Sequence, residues 1–232
     1  MIYNNIDLRW LGHSGFLVKS TVGNIYIDPF KLQAEEDVYG KFESKEKADV
    51  IFITHSHYDH CSIEDIRKIV KDGTMIICPA DVFSKFSKID KKLDIKIANP
   101  GTRMEFFNGK LKFWAIPAYN INKSFHSKDE EWVGYVIQVN DTLIYHAGDT
   151  DLIPEMKNLS SMKLDFAFLP IGGTFTMNAG EAAKAAGMIK PKFAVPIHYG
   201  SIDNTKGKSE ADVFKKHCSV EGVEVKLLEV DK

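Results

Sequence analysis

The sequence predicts an α/β fold: two mixed β-sheets sandwiched between helices. Three observations carry this. Short apolar runs alternate with helical patterns at both ends of the chain. The middle, residues 90 to 139, carries hairpin signals, Asn108-Gly109 the strongest of them. Three apolar runs empty into residues able to bind a metal: His55 and His57, Asp149, and His198. Side chains that do chemistry are placed on loops held by a rigid sheet edge, so this convergence matters more than any one residue.

Taken in order, strands are expected at Ile6 to Leu11, Phe16 to Ser20 and Ile25 to Ile27, with turns at Gly12-His13-Ser14-Gly15 and Val22-Gly23-Asn24. The third ends at Asp28-Pro29, where proline stops the ladder. Residues 31 to 48 are highly charged and read as a solvated loop beside a cleft. Asp49 to Thr54 is a buried strand, and Ser62, with Asp65 three residues on, caps a helix from Ile63 to Val70. A strand at Met75 to Cys78 and a small helix at Ala80 to Lys88 follow, the latter with Val82, Phe83 and Phe86 inward. Runs at Ile95–Ile97, Arg103–Phe107, Lys110–Ile116 and Trp132–Val139 look antiparallel. The second half alternates strands at Leu143–His146, Asp165–Pro170 and Phe193–Ile197 with helices at Ala179–Ile189 and around Glu210–His217, and ends in a strand at Val225–Val230. No Gly/Ser linker divides the chain, so a single domain over 1–232 is expected.

Composition narrows the function. The 232 residues carry a formal net charge of −2, from 30 basic and 32 acidic side chains. This is not the basic footprint of a dedicated nucleic-acid binder. No apolar run approaches a membrane span, and Met1-Ile2-Tyr3-Asn4-Asn5 lacks the pattern of a secretion signal. The three cysteines, Cys61, Cys78 and Cys218, show no paired spacing and read as reduced thiols, so a cytoplasmic location is expected. The expected partner is a small-molecule substrate, and the sequence leaves room for a homo-oligomer.

The densest chemistry is His55-Ser56-His57-Tyr58-Asp59-His60. Strand period two puts His55 and His57 on one side of the chain, and Asp59 and His60 follow in the turn. Imidazole nitrogens and a carboxylate oxygen on a rigid strand end are what a divalent ion needs. The alternative is a polar loop that happens to be rich in histidine; the strand–loop–helix context argues against it.

His55-Ser56-His57-Tyr58-Asp59-His60 resembles the H-x-H-x-D-H motif of the metallo-β-lactamase superfamily. Ala147-Gly148-Asp149-Thr150 is similar to its later Gly-Asp motif, and Ile197-His198-Tyr199-Gly200 to its terminal His motif. The order and strand-end placement match over nearly the whole chain. Trp10-Leu11-Gly12-His13-Ser14 and Ile116-Pro117-Ala118-Tyr119-Asn120 resemble the branch that holds the L-ascorbate-6-phosphate lactonases, the N-acyl-phosphatidylethanolamine phospholipase D enzymes and many uncharacterised metal-dependent hydrolases. The resemblance implies an αββα sandwich with two divalent ions, zinc or manganese, at one edge. It implies that His55 and His57 hold the first metal, that Asp59, His60 and His198 hold the second, and that Asp149 bridges them. A water or hydroxide between the metals would be the nucleophile, with Asp59 orienting it or taking its proton. Two such ions serve ester, lactone, amide or phosphodiester cleavage.

One departure leaves a question. Many relatives have a histidine near the end of the Pro-Ala-x stretch, and here the residue is Asn120. Three arrangements follow: Asn120 ligates through its oxygen, His126 reaches in from the next turn, or the first site is weak. Among outer residues, Asp28 is the expected hydrogen-bond partner for a ligating imidazole, and His13 is expected near the metals or a substrate anion. Gly172-Gly173-Thr174 could offer N–H groups to an anion or be a plain turn. His146 reads as structural, Tyr199 as packing and His217 as surface. The competing functions are a nucleic-acid-processing nuclease of the same superfamily, a di-iron oxidoreductase and a degenerate binding module. The first wants basic patches, the second a glutamate where His57 stands, and the third a broken ligand set.

Overall fold

The computed structural model describes residues 1–32, 46–200 and 207–231. Most of the expected solvated loop at 31–48 therefore lies outside the described residues. The chain divides into two compact units, Met1–Asn99 with Leu228–Lys232, and Pro100–Leu227.

The first unit begins with β1 (Ile2–Tyr3), β2 (Ile6–Gly12), β3 (Gly15–Ser20) and β4 (Gly23–Ile27), which pair antiparallel in sequence order. β5 (Val50–Phe52) then joins β4 in parallel. After α1 (Ile63–Ile69) come β6 (Met75–Cys78), a 3₁₀ helix at Ala80–Lys88 and β7 (Asp94–Ile97). β6 and β7 each add in parallel, because a helical crossover returns the chain to the same end of the sheet. The result, among the described residues, is one seven-stranded sheet in sequence order. α1 is capped as the sequence implies: Ser62 Oγ accepts from the Asp65 N–H at 3.3 Å and donates to the Asp65 carboxylate at 2.7 Å. Its Ile66 and Ile69 are buried with Ile51, Ile53 and Ile76 in one apolar cluster.

The second unit holds β8 (Arg103–Phe106), β9 (Leu111–Pro117), β10 (Val133–Val139) and β11 (Thr142–His146), an antiparallel meander. β12 (Phe166–Pro170), α2 (Ala179–Ile189), β13 (Phe193–Ile197), α3 (Gly207–Val220) and β14 (Glu224–Val225) follow. Here β11, β12, β13 and β14 run parallel. α2 starts with a reciprocal cap, the Asn178 side chain accepting from the Glu181 N–H while Glu181 accepts from the Asn178 N–H. Its buried face is Ala182, Ala183, Ala185, Ala186 and Ile189, small enough for close approach to the neighbouring elements.

Three expectations need correction. The run at 95–97 is parallel and belongs to the first sheet, not to the antiparallel middle. Phe83 is 54% exposed, because the buried face of its helix is Val82 and Phe86. The last apolar run is not one strand: Val225 pairs with Ala194, whereas Val230 bridges Trp10. The segment Pro154–Met162 forms a 3₁₀ helix that opens on Pro154 and buries Met156 and Leu159. The three cysteines are free and buried, and burial pushes each thiol up to about 12. Among the described residues no helix is long and apolar enough to cross a membrane.

Candidate metal centre

In the first unit the parallel ends of β4 and β5 place two polar residues side by side. Asp28 follows β4 with φ +43°, in the left-handed region that aspartate tolerates better than most residues. Its N–H still bonds the Phe52 carbonyl at 3.0 Å. Past β5, Ile53 keeps the ladder for one more residue through the Ile77 carbonyl, and Thr54 then meets Asp28. Asp28 Oδ1 accepts from the Thr54 N–H at 2.8 Å, and Oδ2 accepts from the Thr54 hydroxyl at 2.6 Å. Oδ2 also accepts from His60 Nδ1 at 2.7 Å, with both side chains fully buried. An ionised carboxylate can only accept, so the proton lies on Nδ1 and His60 presents Nε2 outward.

The same logic fixes His55. The Thr54 hydroxyl gives its proton to Asp28, so its lone pair accepts from His55 Nδ1 at 2.9 Å. His55 Nε2 then lies 3.1 Å from His57 Nδ1. Two nitrogens bound tetrahedrally to one zinc ion lie roughly 3.4 Å apart, so this pair has the spacing of co-ligands. The chain next turns back, with the His60 and Cys61 N–H groups both on the His57 carbonyl. That turn brings Asp59 Oδ2 to 3.0 Å from His13 Nε2. His13 sits in the turn after β2 with φ +49°, its carbonyl held by the Trp10 indole N–H at 3.1 Å. One ligand atom each from His13, Asp59 and His60 lie within 4.8 Å of one another.

In the second unit, Asp149, Gly172 and His198 follow the carboxyl ends of parallel strands β11, β12 and β13, the edge where open α/β sheets place their ligands. Asp149 Oδ2 lies 3.1 Å from His198 Nε2 and 3.4 Å from His126 Nε2. Asn120 lies behind His126. Its Oδ1 accepts from both the backbone N–H and Nδ1 of His126, each at 3.1 Å, and its Nδ2 donates to the Phe175 carbonyl at 3.0 Å. The network thus fixes the amide orientation, and the amide oxygen directs His126 Nε2 towards Asp149. Tyr119 and Thr150 tie this loop to the Asp149 loop through Tyr119 N–H to Thr150 Oγ1 at 3.2 Å and Thr150 Oγ1 to the Tyr119 carbonyl at 3.1 Å.

Gly172 is needed for a reason the sequence did not show. A Cβ there would lie 2.8 Å from the His198 carbonyl oxygen and 2.9 Å from its Nδ1. His198 itself has φ +55°. Gly172→Ala is expected to displace the imidazole and weaken divalent-ion binding by about tenfold or more, the scale of a lost orienting contact. Calorimetric metal titration checks this, with the circular dichroism of the variant unchanged. The neighbouring N–H groups serve the turn: Gly173 bonds the Met177 carbonyl and Thr174 the Gly172 carbonyl, both at 3.0 Å. His146 is buried and receives the Gly148 N–H on Nδ1, Tyr199 packs against the core, and His217 is exposed, as their sequence contexts imply. Thr54 was missed altogether, because a threonine closing an apolar run reads as strand.

In each unit the donors are nitrogen and carboxylate, with His55 and His60 in the first and His126 in the second oriented by an oxygen on Nδ1. This chemistry fits a transition-metal ion. A family model for the β-lactamase superfamily domain matches residues 7–198. A UPF0173 metal-dependent hydrolase of Thermus thermophilus is 34% identical over 221 residues, covering 94% of each chain. One of Thermoplasma acidophilum is 33% identical, covering 98% of this chain and 97% of the relative. Among solved structures, Igni18, a metallo hydrolase of Ignicoccus hospitalis, matches with a TM-score of 0.78 and 25% identity, covering 98% of this chain and 96% of the other. Fold, motifs and relatives agree: the chain belongs to the metallo-β-lactamase superfamily, among its UPF0173 metal-dependent hydrolases.

Proposed function

We propose that the protein hydrolyses a small anionic ester, lactone or phosphodiester in the cytoplasm, with two divalent ions held by His55, His57, Asp59, His60, Asp149 and His198. The observation that carries this reading is the orientation of the imidazoles. Asp28 on His60, Thr54 on His55 and Asn120 on His126 each occupy Nδ1 and leave Nε2 to a ligand. His126, rather than Asn120, is the further ligand in this reading. The Asn120 oxygen is already engaged twice, and its role is to aim the ring. With histidine in that position the donors are richer in nitrogen, which favours zinc over manganese.

When bound, the ions supply an acidified water and polarise the bond to be cleaved. The chain's own residues do the rest. Asp59, held by His13, is placed to orient the attacking water and receive its proton. Asp149 offers one carboxylate oxygen to the His126 and His198 side, and the buried Asp28–Thr54–His60 network keeps its ligands rigid. The near-neutral chain, without a basic stripe in its sequence, favours a small substrate over nucleic acid.

A panel of bis(p-nitrophenyl) phosphate, p-nitrophenyl esters, lactones and short RNA tests this. The wild type should cleave at least one small substrate, and Asp59→Ala should lower that rate by about 10²–10⁴-fold, as loss of a proton acceptor does. Undiminished activity in Asp59→Ala, or RNA as the best substrate, would overturn the reading.

A further inference from the structure

Two large aromatic side chains stand out of the second unit on the segments that hold Asn120 and His126. Phe125 and Phe175 are each 45% exposed and meet edge to face, with ring centroids 4.7 Å apart and planes at 80°. Ile121, 52% exposed, lies on the same loop as Phe125. Single exposed apolar residues are ordinary, but a paired aromatic surface marks a place where something binds. We propose that Phe125 and Phe175 form a subsite for the apolar acyl or aryl arm of the substrate. This rests on the hydrolase reading above and adds the substrate class: an amphiphile, anionic at the bond to be cut and apolar beyond it.

Continuity with the metal-binding residues argues for a substrate arm as occupant. Phe125 directly precedes His126 in the chain, so their Cα atoms are about 3.8 Å apart. The Phe175 carbonyl accepts the Asn120 amide, the same amide that aims His126. Both aromatic residues are thus carried on a backbone frame shared with Asn120 and His126. That frame is braced. The Ile121 N–H bonds Asp151 Oδ2 at 3.0 Å, and Lys123 Nζ bonds Asp151 Oδ1 at 2.7 Å and the Thr176 carbonyl at 2.5 Å. A preformed wall loses little conformational freedom on binding. The Asp151 carboxylate also balances the Lys123 charge, so this rim favours an apolar arm over a second anion.

The test is calorimetric titration of the zinc-loaded protein with acetate and with octanoate, two product-like carboxylates that differ in the arm alone. The wild type is expected to bind octanoate at least about tenfold more tightly, what burial of two methylenes gives. In the double variant Phe125→Ser, Phe175→Ser the preference should fall to less than about threefold, with acetate affinity and zinc content unchanged. Both positions are half exposed, so the fold tolerates serine. Equal preference in wild type and variant, or no octanoate preference in the wild type, overturns the subsite. If the preference stays while light scattering shows the variant losing a dimer, the pair is a contact between copies and the proposal fails. A panel in which no substrate is cleaved would overturn the hydrolase reading, whereas the octanoate comparison reads the aromatic pair by binding alone.

Discussion

Asp28→Ala should destabilise the protein by about 3–5 kcal/mol, the cost of leaving three buried donors without their acceptor. The carboxylate is fully buried and takes three hydrogen bonds, two from Thr54 and one from His60. Without it the Thr54 N–H, the Thr54 hydroxyl and His60 Nδ1 all lose an acceptor inside the core, where water cannot replace it. The imidazole is also free to rotate or change tautomer, so metal binding suffers together with stability. Asp28→Asn separates the two effects. It keeps the volume and one acceptor oxygen, so it should retain more of the fold while divalent-ion affinity falls by roughly 10–100-fold. Urea unfolding and metal titration of the two variants check this. Alanine at 28 with wild-type stability would mean that the network contributes little to the fold.

The second large effect separates His126 from Asn120. His126→Ala should remove a ligand and lower metal affinity and kcat/KM by more than about 100-fold, whereas Asn120→Ala removes only the group that aims it and should cost about 10–100-fold. Asn120→Asp should recover much of the loss, because a carboxylate oxygen can accept from His126 Nδ1 as the amide oxygen does. If Asn120→Ala proved as damaging as His126→Ala, with no recovery in Asn120→Asp, the amide oxygen itself would be the ligand. Titration of apo-protein variants with zinc reads this without reliance on turnover.

The local spacing of residues showed the strands that carry the ligands, because their apolar runs are short and are bounded by Gly, Pro or His. It also pointed to Asp28, a carboxylate before a proline at a strand end, which reads equally as a turn residue or as a partner for a ligating imidazole. What it could not show depended on contacts across distant parts of the chain. Thr54 acts through an Asp 26 residues away, across the β4–β5 ladder. That Asn120 lies behind His126 depends on the fold of the loop between them. Gly172 matters only because His198 comes to lie against it, at the end of the neighbouring strand. The run at 95–97 has the same look in either sheet, and only the crossover through Ala80–Lys88 decides its partner.

These histidines and aspartates are proposed to hold a pair of hydrolytic metal ions. The most direct test is to count metals per chain by plasma mass spectrometry, in protein purified without chelator, while following hydrolysis of the best panel substrate through stripping and reloading. Two divalent ions per chain are expected, predominantly zinc, with activity lost on stripping and restored on reloading. Two irons per chain with oxygen-reducing activity, or full hydrolysis by the stripped protein, would contradict it.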